Sequence, residues 1–586
     1  MREPPLHYRV QALDLKAHLW QVELTIAQAP ESTIVSLPVW IPGSYLVREF
    51  ARHLQHLQAR QGRRACAVVA LDKTRWRIDA RAGQALTLRW QVYARDASVR
   101  TAWLDEARGF FNGTSLCLMV QGQEDLPHAI TLVRPRQAAC QRWRAATALR
   151  PLKVDARGFG QYLAADYDEL VDSPVEMGDF WSGEFEACGV PHRLVISGAT
   201  ADLDGERLLR DAKTICETSI AFWHPGRRPK PPHDRYVFLL NVVHEGYGGL
   251  EHRHSTALIC NRRDLPRQGL PLPTEGYTTL LGLICHEYFH TWNVKRLRPQ
   301  ALARYDYAQE NYTDLLWFFE GFTSYYDDLL LHRAGLVDEA TYLKLLARNI
   351  EQVQHMPGRQ VQSVAQASFD AWTRYYRPDE NTPNATVNYY TKGALVALCL
   401  DLRLRHLGHS LDALMRRLWQ RCDGGPMGEA VLHEELQALG GAALVAELRQ
   451  WVHSTDELPL ADVLRAQEVE IEAVPGTLAQ RLGLRHSDGA GGVLIQSVLR
   501  GGAAEQAGMA AGDEWIGLAL GARGQGEAWR VMRLDDVATA LGQQRQAVAL
   551  VARDRRLLHL PLKMPPTHSV WRLRLPAQRQ ARWPAA

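Results

Sequence analysis

The hydrophobic period of this 586-residue chain changes twice along its length, so no single-class fold can account for it. From residue 7 to about 165, segments such as HLWQVELTI, STIVSLPVWI and ALTLRWQVYA alternate apolar and polar residues between Gly, Pro and Asp turns. That is the pattern of antiparallel strands with one face buried. Strand-like runs continue to about 270, among them HRLVISG and RYVFLLNVV, with a helix expected over Glu206 to Phe222. From about 275 to 455 apolar residues recur every three or four positions, through TTLLGLICHEYFHTWNV, DLLWFFEGFTSYYDDLLLHRAG and YYTKGALVALCLDLRLRHLG, which is the period of helices. A β-rich module follows from about 465, and the basic, Pro-containing end from about 570 reads as a loosely ordered tail.

The length exceeds what one hydrophobic core supports, which predicts about three domains. A net charge of +3, from 68 basic and 65 acidic residues, leaves no electrostatic footprint for nucleic acid or an anionic membrane. No apolar run reaches the ~18 residues of a membrane span. The opening MREPPLHYRV has no apolar stretch behind a basic start and no small-residue cleavage site of a secretory signal. The nine cysteines form no CxxC pair and suit free thiols in a reducing compartment, so a cytoplasmic location is expected. Cys260 and Cys285 read as small buried hydrophobes.

Within the helical region, His286 and His290 are four residues apart in LLGLICHEYFHTWNVKRLRP, so one helix face can aim both imidazoles at one point, with Glu287 beside them. A catalytic zinc site needs a third protein ligand and an open position for water. Glu320 meets the first need. It lies in LLWFFEGFTSYYDDL, an apolar and aromatic stretch where a lone carboxylate is costly unless it is paired or coordinates a metal. Upstream, Gly248, Gly249, Leu250 and Glu251 close a strand-like run with backbone open to close approach. Downstream, Tyr390 opens a helix in NYYTKGALVAL, two residues before Lys392 and Gly393. Singly, Glu251 reads as a surface acid and Tyr390 as a packing aromatic.

Taken together, GGLEH, HEYFHTWN, EGFTSYY and YTKG occur in the order found in the glutamate-zincin aminopeptidases. With PVWIPGSYLVREF at 38–50, DSPVEMG at 172–178 and the C-terminal module, the chain resembles, over nearly its whole length, the PDZ-bearing glycyl aminopeptidases. The resemblance implies a multidomain α+β architecture: a β-sandwich-like N-terminal domain (1–168), a thermolysin-like zinc peptidase domain (169–460), a PDZ domain (461–568) and a tail (569–586). It implies one Zn²⁺ per chain on His286, His290 and Glu320, with Glu287 as base and Tyr390 as oxyanion donor. Glu251, with Gly248 and Gly249, would receive the ammonium of peptides with a free N-terminus, glycine first and alanine second. His252 stands where the wider aminopeptidase pattern has Asn.

The same resemblance places a C-terminal peptide ligand at a PDZ groove, with its carboxylate held by the loop Arg481 to Leu484. A small pocket for the first residue would need bulky walls such as Tyr247, Phe289 or Trp317. Two other readings remain open here: a zinc endopeptidase, and a non-catalytic peptide-binding PDZ protein with a vestigial zinc site. Lys295, Arg296 and Arg298 follow the site helix, where cations are favoured in any case. His244, His252 and His254 read as satisfied or solvated histidines rather than a second metal cluster.

Overall fold

A computed structural model describes residues 4–270, 273–489, 491–565, 569–576 and 583. The chain divides into two compact units, one of Met1–Tyr312, Tyr326–Val337 and Met415–Gly428, the other of Thr313–Tyr325, Asp338–Leu414 and Glu429–Ala586.

In the first unit the two-residue period does what the sequence leads one to expect. Leu6, Tyr8 and Val10 turn inward from Leu6–Asp14, as do Trp20, Val22 and Leu24 from Leu19–Ile26, and Leu86, Leu88 and Trp90 from Leu86–Tyr93. These strands join an eight-stranded sheet, accompanied by two four-stranded sheets. A fourth, five-stranded sheet runs Trp181–Ala187, Val190–Ser197, Tyr236–Val243, Ser255–Asn261, Gly248–Glu251. Its central pairings are parallel, and Gly248–Glu251 closes one edge antiparallel to Ser255–Asn261. The two sheet regions share a core, because Val195, Val237, Leu250 and Ala257 belong to the cluster that contains Trp20, Trp90 and Trp143. The helices Gly205–Trp223 and Glu275–Phe289 pack on each other, and the second lies along Gly248–Glu251.

The second unit is helical up to Ala466 and then β-rich. Its C-terminal sheet orders Leu484–Gly489, Gly492–Val498, Glu514–Leu520, Gln546–Arg553 and Arg556–Lys563, with Ala528–Arg530 paired to Glu514–Leu520. The run AAEQAGMAAGD between these strands has a structural reading. Gly508 ends the helix Ala503–Ala507 in the left-handed conformation at φ 85°, and the buried Asp513 accepts from Arg553 at 2.7 and 2.8 Å.

One expectation is corrected. The segment from Ser569 is not loose: Ser569–Arg574 pairs residue for residue with Glu470–Pro475 and lies along the helix Glu339–Gln354. Leu573 is buried, while Arg572 and Arg574 reach Glu472 at 3.5 and 3.3 Å, so the basic residues that read as a tail are the outer face of a strand. Residues 577–582 and 584–586 of that expected tail lie outside the described residues. No helix among the described residues is long and apolar enough to cross a membrane.

Candidate active site

Thr274 opens the site helix by accepting the Tyr277 amide at 3.0 Å, and the helix ends at His290. Beyond Thr279 all of its residues but Gly282 and His286 are buried, with Leu280, Ile284, Cys285, Tyr288 and Phe289 in the core. One turn separates His286 from His290, and their rings meet at a centroid distance of 4.6 Å and an angle of 87°. Their Nε2 atoms are 3.0 Å apart.

The outer nitrogens set the tautomers. His290 Nδ1 donates to the Asn293 carbonyl at 2.7 Å, and His286 Nδ1 stands 3.0 Å from Asp327 Oδ2. A carbonyl or carboxylate can only accept, so each ring carries its proton on Nδ1 and presents a lone pair from Nε2. Two lone pairs at this distance repel unless a cation lies between them. Glu320, 2% exposed among Phe318, Phe319 and Phe322, completes the group: the ligand atoms of His286, His290 and Glu320 all lie within 4.8 Å of one another. Among the described residues this is the one such group. Two imidazoles backed by a carboxylate and a carbonyl, with one buried carboxylate, are the donors that suit a zinc-like cation. Sequence reading singled out the three residues of this group but not Asp327. Its signal was spacing, since seven residues on one helix bring Asp327 to the same side as Glu320.

Glu287 turns from the site helix toward Gly248–Glu251. The strand period puts Gly249 and Glu251 on one face, with Leu250 buried on the other. Gly249 has no side chain where one would overlap the Glu287 carboxyl, so this glycine gives Glu287 its place. The Thr256 hydroxyl, which donates to the Leu250 carbonyl at 3.0 Å, stands 3.4 Å from Glu287 Oε2. Gly248 has φ 150°, and Arg100 donates to the Gly249 carbonyl at 3.3 Å. Glu251 is 5% exposed, so it is not the surface acid its composition alone suggests.

Tyr390 lies in the first turn of Tyr389–His406, where Asn388 caps its amide at 2.8 Å. Burial first, and then the charge of Glu320, raise its phenol well above the ordinary value of 10.0, so it stays protonated at neutral pH. Two glycines bring it there. A Cβ on Gly321 would lie 2.5 Å from Gly393 Cα, so the helices Leu316–Arg333 and Tyr389–His406 cross with their backbones in contact. The glycines of EGF and YTKG are packing residues.

The other expectations separate cleanly. Lys295 is buried and bonded to Asp172 at 2.9 Å, and Arg296 donates to the carbonyls of Thr291 and Pro232, so both are structural. His252 bonds Asp172 at 3.1 Å, and burial lowers His254 to about 4. Phe289 and Trp317 are fully buried, Phe289 against Phe222, Trp223 and Tyr326, while Tyr247 is 60% exposed. Cys260 and Cys285 are buried free thiols.

Two convergent histidines, a buried carboxylate and a second carboxylate beside them define a metallohydrolase site. Residues 7–179 match the Peptidase M61 N-terminal domain, and residues 279–396 match the M61 glycyl aminopeptidase family. A solved aminopeptidase N family protein from Idiomarina loihiensis is 36% identical, with a TM-score of 0.91 over 97% of this chain and 98% of that one. The chain belongs to the M61 glycyl aminopeptidase family and is a metallo-aminopeptidase. A remoter likeness is to an M1 zinc metallopeptidase from Deinococcus radiodurans, solved as a mutant with a Tyr-Ser-Ala substrate, at 14% identity and a TM-score of 0.48 over 78% of this chain and 94% of that one. No curated protein sequence matches the chain.

Proposed function

We propose that the protein is a cytoplasmic zinc aminopeptidase that removes N-terminal glycine, and alanine second, from peptides. The observation that carries this reading is the pair of Nε2 atoms 3.0 Å apart with both outer nitrogens engaged. His286, His290 and Glu320 would hold one Zn²⁺ per chain, which when bound supplies a Lewis acid that polarises a carbonyl and acidifies water. Glu287 takes the proton of the attacking water and later delivers it to the leaving amine. Tyr390, kept neutral, donates to the oxygen that gains charge. Glu251 pairs with the substrate's free ammonium, and the backbone of Gly248 and Gly249 lies along the bound peptide. An internal peptide offers no ammonium, so binding it would leave the Glu251 carboxylate buried without its counter-charge.

The C-terminal module we read as a PDZ domain over 461–568, behind an N-terminal domain of 1–168 and a thermolysin-like domain of 169–460. The edge strand Leu484–Gly489 would take the extended C-terminal peptide; the expected loop Arg481 to Leu484 is instead the end of the helix Leu478–Leu482, its left-handed cap Gly483 and the first strand residue, because Gly483 lets the chain turn straight into the strand. The test is release of p-nitroaniline from glycyl, alanyl and leucyl p-nitroanilides by the full chain, beside a chelated sample and Glu287→Ala. Release led by glycine and lost in both controls is expected. Turnover that persists after chelation, or in Glu287→Ala, would contradict the reading.

A further inference from the structure

Two motifs play no part in the reaction as described, PVWIPGSYLVREF and DSPVEMG, yet both end at the same place. In the first, Ile41, Pro42, Gly43 and Ser44 form a type II turn. The Ser44 amide donates to the Ile41 carbonyl at 3.0 Å, Pro occupies the second position, and Gly43 at φ 90° takes the third, where a positive φ is required. The turn is held firmly. Trp40 Nε1 donates to the Asp306 carbonyl at 2.7 Å, the Val39 amide to Tyr307 at 2.8 Å, and the Arg48 guanidinium to Ser44 Oγ at 2.7 Å. Trp40 and Ser44 are fully buried. A Cβ on Gly43 would lie 2.6 Å from both Oε1 and Oε2 of Glu251, so the carboxylate rests flat against this turn.

The second motif acts on the next residues of the chain. Asp172 accepts from the Arg253 amide at 3.0 Å and from Lys295 Nζ at 2.9 Å, and lies 3.1 Å from His252 Nδ1. Lys295 in turn donates its amide to the His290 carbonyl at 3.0 Å. Asp172 therefore clamps the end of the strand just past Glu251 and ties it to the turn that follows the metal helix.

We infer that Gly43 and Asp172 are positioning residues of the amine anchor, holding Glu251 from two sides, and that together they set the affinity for peptides with a free N-terminal ammonium. This rests on the reading of Glu251 as that anchor. A misplaced Glu251 carboxylate would weaken an interaction made equally in the bound substrate and the transition state, so the loss falls on KM rather than kcat.

The test is a cycle on glycyl p-nitroanilide with the zinc-loaded full chain: Gly43→Ala, Glu251→Asp, both together, Asp172→Asn and Glu251→Gln, each with its melting temperature and zinc content. A methyl at 43 and a carboxylate shorter by one methylene should compensate. Gly43→Ala and Asp172→Asn should each raise KM about tenfold with kcat nearly unchanged, and Glu251→Asp should cost at least about threefold less in the Gly43→Ala background than in the parent. Backbone strain at φ 90° is common to Gly43→Ala and the double variant and cancels from the cycle. Additive effects, or losses confined to kcat, overturn the inference while a raised KM in Glu251→Gln leaves the anchor standing. An unchanged KM in Glu251→Gln removes the anchor and the inference with it. If Gly43→Ala does not fold, Asp172→Asn decides: an unchanged KM overturns the inference.

Discussion

The metal-ligand group of this site and the region proposed to receive the substrate's amine are built on opposite plans. The metal half is local: two ligands one helical turn apart, a third on the next long helix, and its tautomer-setting partners Asn293 and Asp327 close by on those same segments. The amine half is assembled from distant chain, with Gly43, Asp172, Glu251 and Lys295 meeting through loops and a sheet edge. Ligands that need fixed geometry sit on rigid helices, whereas the proposed recognition of the substrate's end falls where separate segments converge.

Substitutions on the two sides should therefore fail differently. The largest effect belongs to Glu287→Gln, which should lower kcat by about 10³-fold or more while zinc content by elemental analysis stays at one per chain, since Glu287 is proposed as the base and not as a ligand. Asp327→Asn should weaken zinc affinity by about 10–100-fold in a competition titration, with activity returning on added zinc. That recovery would separate the metal half from the amine half, where added zinc should restore nothing. Gly393→Ala should destabilise the fold by about 1–3 kcal/mol in denaturant melts and depress kcat, because the helices must part and carry Tyr390 from Glu320. Lys73→Ala, removing an exposed ion pair with Glu49, should change stability by less than about 1 kcal/mol and serve as the reference for an uninvolved surface.

The amine half should also show in acid. Burial alone would raise Asp172, but Lys295 and His252 overcome it and hold the carboxyl well below the usual range. A depressed carboxyl contributes stability that is full above its unfolded value of about 3.9 and is lost as pH falls below it. Asp172→Asn should therefore flatten the acid limb of a stability-against-pH curve, read by thermal melts below pH 5.

This contrast also explains what could be read from the chain. His286, His290 and Glu320 were legible because helical spacing is written directly in sequence, and the strands around Trp20 and Trp90 because alternation is equally direct. Glu251 needed the resemblance, since alone it reads as a surface acid. Asp172 and Gly43 lay inside motifs that could be quoted but not placed, because nothing local to PGSY or DSPVEM says that they meet 80 to 200 residues away. Ser569–Arg574 misled in the other direction: its two basic residues, Arg572 and Arg574, hid the alternating Trp571 and Leu573. Long-range pairing decides such segments, and it is the part of folding that period and composition do not carry.

The most direct measurement compares kcat/KM for glycyl p-nitroanilide and its N-acetylated counterpart with the zinc-loaded protein. A free amine preferred by about 100-fold or more, with the preference reduced in Glu251→Gln, is what a buried ammonium anchor predicts. Equal rates on the two substrates would contradict it.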